Sequence, residues 1–199
     1  MEEESFEVQA KVKVDDLEPV RKALEKPEIQ IIRVRHYHEY DTYFTHADPS
    51  EGRLRYREDE FINEKGEITN VRSRLTLIGE ASEHAQLNGE EIMLSRSRYL
   101  APATQSLRFY NEYFKPITTT EVVKDRLRFL IKFEDTEFFV NLDNITKPDL
   151  GKFVEIKSRT WSRQDAQNKA KLMHQLLEVL GLDTQPLVTK DYIHLVENP

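Results

Sequence analysis

Residues 6–14 read Phe6-Glu7-Val8-Gln9-Ala10-Lys11-Val12-Lys13-Val14, an unbroken alternation of apolar and polar side chains. A β-strand sends successive side chains to opposite faces. Phe6, Val8, Ala10, Val12 and Val14 therefore share one face, and Glu7, Gln9, Lys11 and Lys13 share the other. Taken alone, this describes a half-buried strand with a wet outer face. Later segments repeat the alternation with more cations: Arg55 and Arg57; Arg72 and Arg74; Arg96 and Arg98; Lys124, Arg126 and Arg128. If those polar faces converge, they enclose a charged interior.

The whole-chain totals narrow the setting. The 199 residues are expected to form a single domain over 1–199. A hydrophobic share of 38% supplies a core, while charged residues reach 33% and need a place, either on a very polar surface or inside a cavity. The net charge of −7 argues against a general nucleic-acid binder. With no cysteine, disulfides, zinc–thiolate sites and thiol nucleophiles are excluded. Met1-Glu2-Glu3-Glu4 is unlike a signal peptide, and no apolar run approaches the ~20 residues that span a bilayer. The expectation is a cytoplasmic protein with no membrane partner.

About eight strands and three helices follow from periodicity. The strand candidates after the first are Ile29–Phe44, Arg53–Arg57, Val71–Ile78, Ile92–Leu100, Thr118–Phe133, Glu137–Ile145 and Lys152–Trp161. Leu17, Val20 and Leu24 mark a first helix, capped by Asp15 or Asp16 and ended by Pro27. Pro102–Phe114 is the second, with Leu107, Tyr110 and Phe114 on one face. The third follows Ser162 and Asp165, carries Ala166, Ala170, Met173, Leu177 and Leu180 as its stripe, and ends at Gly181. Gly79–Glu91 reads as irregular. So many alternating strands suggest an antiparallel barrel or strongly curved sheet with helices outside.

The polar faces combine Lys11, Lys13, Arg55, Arg57, Arg72, Arg74, Arg96, Arg98, Lys124, Arg126 and Arg128 with only three carboxylates, Glu7, Asp143 and Glu155. Cations at that density repel one another unless a polyanion or water relieves them. Guanidinium forks suit phosphate oxygens, and carboxylates among them would hold a divalent cation.

In these residues the chain resembles the CYTH domain, the triphosphate tunnel metalloenzymes, whose members include class IV adenylate cyclases, thiamine triphosphatases and inorganic triphosphatases. The opening Glu-x-Glu-x-Lys is met by Glu7-Val8-Gln9-Ala10-Lys11. Further matches are Asp41-Thr42-Tyr43-Phe44, Leu54-Arg55-Tyr56-Arg57, Arg74-Leu75-Thr76-Leu77, Lys124-Asp125-Arg126, Leu142-Asp143, Gly151-Lys152-Phe153-Val154-Glu155-Ile156 and Lys190-Asp191-Tyr192. The resemblance implies an eight-stranded antiparallel β-barrel, a tunnel with a polar charged lumen and helices packed outside. It implies Glu7, Asp143 and Glu155 as catalytic, metal-binding carboxylates for Mg²⁺ or Mn²⁺. Lys11, Arg55, Arg57, Arg74, Arg96, Arg98, Lys124, Arg126 and Lys190 would bind the substrate phosphates, one of Arg72/Arg74 and one of Arg96/Arg98 facing the lumen. Three positions depart from the pattern: Gln9 replaces a Glu, Lys157 stands where a Glu is usual, and Ile78 where Lys is frequent.

The activity so implied is metal-dependent hydrolysis of a triphosphate-containing substrate. The alternatives are cyclisation of ATP, or a non-catalytic polyphosphate- or nucleotide-binding module in which Lys157 and Gln9 have displaced a metal. The expected partner is a small triphosphate or polyphosphate, with no nucleic acid, and the chain a monomer or homodimer. His36 and His38 read as packing or surface residues. No nucleophile elbow and no Gly-rich phosphate loop is present among only six glycines.

Overall fold

The computed structural model describes residues 6–46, 53–78, 83–87, 90–96, 99–160 and 162–197; side chains are described except at 6, 78, 83–87, 90–96, 99 and 163. Ten strands form one antiparallel sheet: β1 (Phe6–Val14), β2 (Ile29–Thr45), β3 (Arg53–Ile62), β4 (Ile68–Ile78), β5 (Glu83–Leu87), β6 (Glu90–Arg96), β7 (Tyr99–Pro102), β8 (Thr118–Phe133), β9 (Thr136–Lys147) and β10 (Asp149–Thr160). Their order is β5-β6-β1-β10-β9-β8-β2-β3-β4-β7. Eight strands make the wall, and β5 and β7 are short edges. β5 occupies part of the segment expected to be irregular.

No strand ladder joins the two ends of this order among the described residues. The chain itself brings them together. β6 ends at Arg96 and β7 begins at Tyr99, yet β6 pairs with β1 and β7 with β4. Three peptide links span no more than about 11 Å. Strands from opposite ends of the sheet are therefore neighbours, and the sheet curls into a tunnel closed by chain connection.

Local chemistry sets the turns. Asn63 Oδ1 accepts from the Lys65 and Glu67 N–H groups, both at 2.9 Å, and Gly66 takes φ +79°, which makes the β3–β4 hairpin. α1 (Glu18–Ala23) has no side-chain cap, although Asp16 Oδ1 accepts from the Glu18 N–H at 3.2 Å. α2 (Leu107–Phe114) starts later than the sequence pattern predicts, because Ser106 caps it and residues 99–102 pair with β4. α3 (Arg163–Leu180) begins where the Ser162 hydroxyl accepts from the Asp165 N–H at 3.1 Å and ends at Gly181, φ +72°. A fourth helix, α4 (Tyr192–Glu197), lies in the segment that sequence left as a short end piece. No helix among the described residues is long and apolar enough to cross a membrane.

The principal apolar core lies outside the tunnel. Val8, Ala10 and Val12 of β1, Phe129 and Ile131 of β8, Val140 and Leu142 of β9, and Val154 and Ile156 of β10 pack against Ala166, Ala170, Met173, Leu177 and Leu180 of α3. The apolar face of the opening strand is thus covered by a helix. Its polar face is not wet either: Gln9 and Lys11 are buried on the other side. Met173, fully enclosed, should carry a large share of the α3 contact. Met173→Ala is expected to cost about 2–5 kcal/mol, measured by urea unfolding; a loss under about 1 kcal/mol would place the core elsewhere.

Candidate functional site

The inward faces of the strands carry a buried ionic network. Lys11, Arg55, Arg57, Lys124 and Arg126 are all buried, as are Glu39, Asp41, Asp59, Asp143 and Glu155. Arg57 donates a fork to Asp41, 2.6 and 2.7 Å, while Lys124 donates to the same carboxylate at 2.8 Å. Arg126 grips Asp143 at 2.6 and 2.5 Å and reaches Glu155 at 3.1 Å. Glu39 sits among four cations: Arg57 at 3.0 Å, Lys124 and Arg126 each at 3.3 Å, and Arg128 at 3.5 Å. Asp59 holds Arg72 at 2.8 Å and Arg74 at 2.6 Å.

These pairs set the proton affinities. Burial acts to raise the carboxyls of Glu39, Asp41 and Glu155, but neighbouring cations outweigh it and hold all three below their usual range. For Glu39 the cations are Arg126, Arg57, Lys124 and Arg128. For Glu155 they are led by Lys157 and Arg126. Burial lowers the Lys11 and Lys124 ammoniums, with Arg57 adding to the effect at Lys124. The Tyr192 phenol is pushed well above its usual value by burial and by the charge of Asp143, to which its hydroxyl donates at 2.7 Å.

Tyr192 closes one end of the interior. It packs with Tyr43, Val122, Ile145, Phe153 and Ile193. The Lys11 ammonium lies 4.4 Å above its ring and that of Lys124 5.3 Å. Lys11 Nζ also donates to the Lys190 carbonyl at 2.8 Å.

The predicted site residues divide accordingly. Lys11, Arg55, Arg57, Lys124, Arg126, Asp143 and Glu155 share the interior, and Glu7 and Arg74 reach it half-buried. Lys13 and Lys190 are exposed; Lys190 meets the site through its backbone carbonyl. Arg72 and Arg74 both turn inward onto Asp59. Arg98 lies outside the described residues, as does the side chain of Arg96.

Glu39, Asp41 and Asp59 are buried carboxylates absent from the expected set, and they correct the picture of a lumen filled with unrelieved cations. The signal was in the strand period. Glu39 and Asp41 are in phase with Arg33 and Arg35, and Asp59 with Arg55 and Arg57.

The three carboxylates expected to hold a metal are engaged with cations. The Lys157 ammonium lies 3.3 Å from Glu7 and 3.2 Å from Glu155, and Asp143 is held by Arg126 and Tyr192. They do not converge on a common point for a divalent ion: among the described residues, the only such grouping of ligand atoms is His36, His38 and Asp125. These lie half-buried to exposed, with His36 Nε2 hydrogen-bonded to Asp125 at 2.5 Å.

No protein-family model and no curated protein matches this chain. Solved structures do match in fold. The PH1819 protein of Pyrococcus horikoshii superposes with a TM-score of 0.70 at 21% identity, over 96% of this chain and 98% of that one. A Vibrio parahaemolyticus protein provisionally described as an adenylate cyclase gives 0.62 at 13% identity, over 96% and 98%. HpAC1 from Hippeastrum, reported with a dominant triphosphatase activity, gives 0.54 at 10% identity, over 97% and 95%. The chain therefore shares the tunnel fold of these proteins, and its own tunnel has a charged interior with helices outside.

Two outcomes test the network. Asp41→Asn leaves Arg57 and Lys124 without their shared partner and should cost roughly 3–5 kcal/mol in urea unfolding; a neutral result would mean the pairs contribute nothing. Glu39, Asp41 and Glu155 have folded-state pKa values below their unfolded ones, so the unfolded chain takes up more protons in acid. Their stabilisation is complete above about pH 5 and is lost as pH falls toward the depressed folded values. The urea midpoint should drop between pH 6 and pH 3; an unchanged midpoint contradicts this.

Proposed function

We propose that the chain binds a triphosphate-containing or polyphosphate anion in its interior, and that Lys157 supplies there the positive charge a divalent cation would bring. The observation that carries this reading is the Lys157 ammonium between Glu7 and Glu155. Those carboxylates already have a cation, covalently attached to the protein. Lys11, Arg55, Arg57, Lys124 and Arg126 are buried on the same interior and are the phosphate-binding donors in this reading. The partner is a small phosphate anion, with neither nucleic acid nor membrane required, and the protein acts in the cytoplasm as a monomer or homodimer.

Hydrolysis of a triphosphate substrate with Mg²⁺ or Mn²⁺ is the second reading. It is favoured by Glu7, Asp143 and Glu155 facing the same interior as Lys11 and Arg126, and by the triphosphatase activity reported for the Hippeastrum protein. Cyclisation of ATP asks more of the site, since it also needs a ribose pocket and a base for the attacking hydroxyl.

The deciding experiment titrates tripolyphosphate, ATP and thiamine triphosphate with and without Mg²⁺ or Mn²⁺, and follows release of phosphate and cyclic nucleotide. Binding is expected in the absence of metal, with no product. Metal-dependent turnover abolished by Glu155→Gln would overturn the binding reading in favour of an enzyme. Lys157→Glu replaces the tethered cation with a third carboxylate; tripolyphosphate affinity should fall at least tenfold without metal and recover when Mg²⁺ is added.

A further inference from the structure

The inner face of β2 runs Arg33, Arg35, Tyr37, Glu39, Asp41, Tyr43. From Arg33 to Tyr43 is ten residues, roughly 33 Å of strand. At the Tyr43 end the interior is filled by Tyr192 and its apolar neighbours. At the Arg33 end there is a cavity of about 170 Å³. Arg33, Arg35, Arg72, Arg74 and Arg128 line it, over a floor of Tyr37, Leu130 and Phe139. Arg33 and Arg35 belong to no site assigned above, and Arg128 joins them to the network around Glu39.

Charge is unbalanced here in a way it is not deeper inside. Arg33 and Arg35 are exposed and make no ion pair among the described residues. Arg35 lies directly across the β2–β8 ladder from Arg128, a like-charge pairing that destabilises a sheet. Arg128 has Asn141 on its Nε at 2.8 Å and shares Glu39 with three other cations. Arg72 and Arg74 share the single carboxylate of Asp59, and Arg74 Nε is buried with no hydrogen-bond partner. Counting both Asp59 and Glu39 wholly to this cluster, five guanidiniums less two carboxylates leaves three positive charges.

The cluster is also held in place. The Arg128 guanidinium lies 5.3 Å from the Tyr37 ring centre and 5.9 Å from that of Phe139, and Arg72 lies 5.2 Å from Phe61. Aromatic faces fix guanidinium planes without neutralising them. What remains is a small concave site with several preoriented forks and excess positive charge, complementary to a multivalent phosphate anion. Its ion pairs run on into the interior, since Arg128 meets Glu39, and Glu39 meets Arg57, Lys124 and Arg126.

We infer that this pocket is a second phosphate-binding site, which holds the outer part of a linear phosphate chain whose inner part occupies the lumen, so that the protein prefers chains longer than a triphosphate. This rests on the proposed reading of the interior as an anion site. Arg33 and Arg35 select for length because they lie at the outer end of β2, away from Arg55 and Lys11.

The test is calorimetric titration of the full chain with pyrophosphate, tripolyphosphate and long linear polyphosphate, comparing the wild type with Arg33→Gln/Arg35→Gln and with Arg55→Gln. The exposed double variant should keep its fold, checked by circular dichroism. It is expected to weaken long-chain binding at least tenfold while leaving tripolyphosphate within about twofold. Arg55→Gln should weaken both. Long-chain binding unchanged in the double variant would overturn the inference while leaving the lumen reading intact. If the double variant abolishes binding of every anion and Arg55→Gln changes none, the pocket stands as the whole anion site and the lumen reading falls. No binding of any of the three anions by the wild type overturns both.

Discussion

Everything inside this tunnel depends on Glu39. A carboxylate removed from water is costly, and so are four cations brought within 3.5 Å of one point. Together they are tolerable, because each supplies what the other lost. Glu39 joins β2 to β3 through Arg57 and to β8 through Lys124, Arg126 and Arg128. Asp41 repeats the linkage one step further along the strand, through Arg57 and Lys124. Such networks are poor sources of net stability compared with apolar packing. They are strong determinants of register, since sliding β2 by one residue would turn both carboxylates to the outer face and take them from Arg55, Arg57, Lys124, Arg126 and Arg128.

This division explains why the apolar core is on the outside. The inner faces are committed to charge, so the chain must find its hydrophobic burial where α3 and α1 lie against β1, β8, β9 and β10. The middle of β1, Val8 to Val12, is consequently buried on both faces, one by each kind of interaction. The nine-residue alternation separates two interiors of opposite character.

Much of this was legible in the sequence. The alternation fixed the faces of β1, β3, β8 and β10, and the capping residues Ser162 and Gly181 fixed α3 to the residue. The cations of the lumen followed from counting in steps of two. What escaped was the sign balance. Glu39, Asp41 and Asp59 obey the same period, but a carboxylate on a strand reads as a surface residue until its cross-strand partners are known, and pairing is not written locally. The brief strands β5 and β7 escaped for a related reason: five and four residues carry too little periodicity, and it is the neighbouring strand that makes them extended. Lys157 was readable as an oddity in the metal set; that its ammonium takes up both Glu7 and Glu155 required the structure.

The connection between β6 and β7 gives the wall an unusual mechanical property. A barrel whose every strand is laddered to the next has a circumference fixed by its hydrogen bonds. Here, among the described residues, no ladder crosses one seam, where β5 and β7 are the sheet's edges. Changing the girth of the lumen at that seam breaks no ladder among the described residues. The bore offered to a guest is in this respect set by the ion-paired side chains on the inside as well as by the sheet that surrounds them.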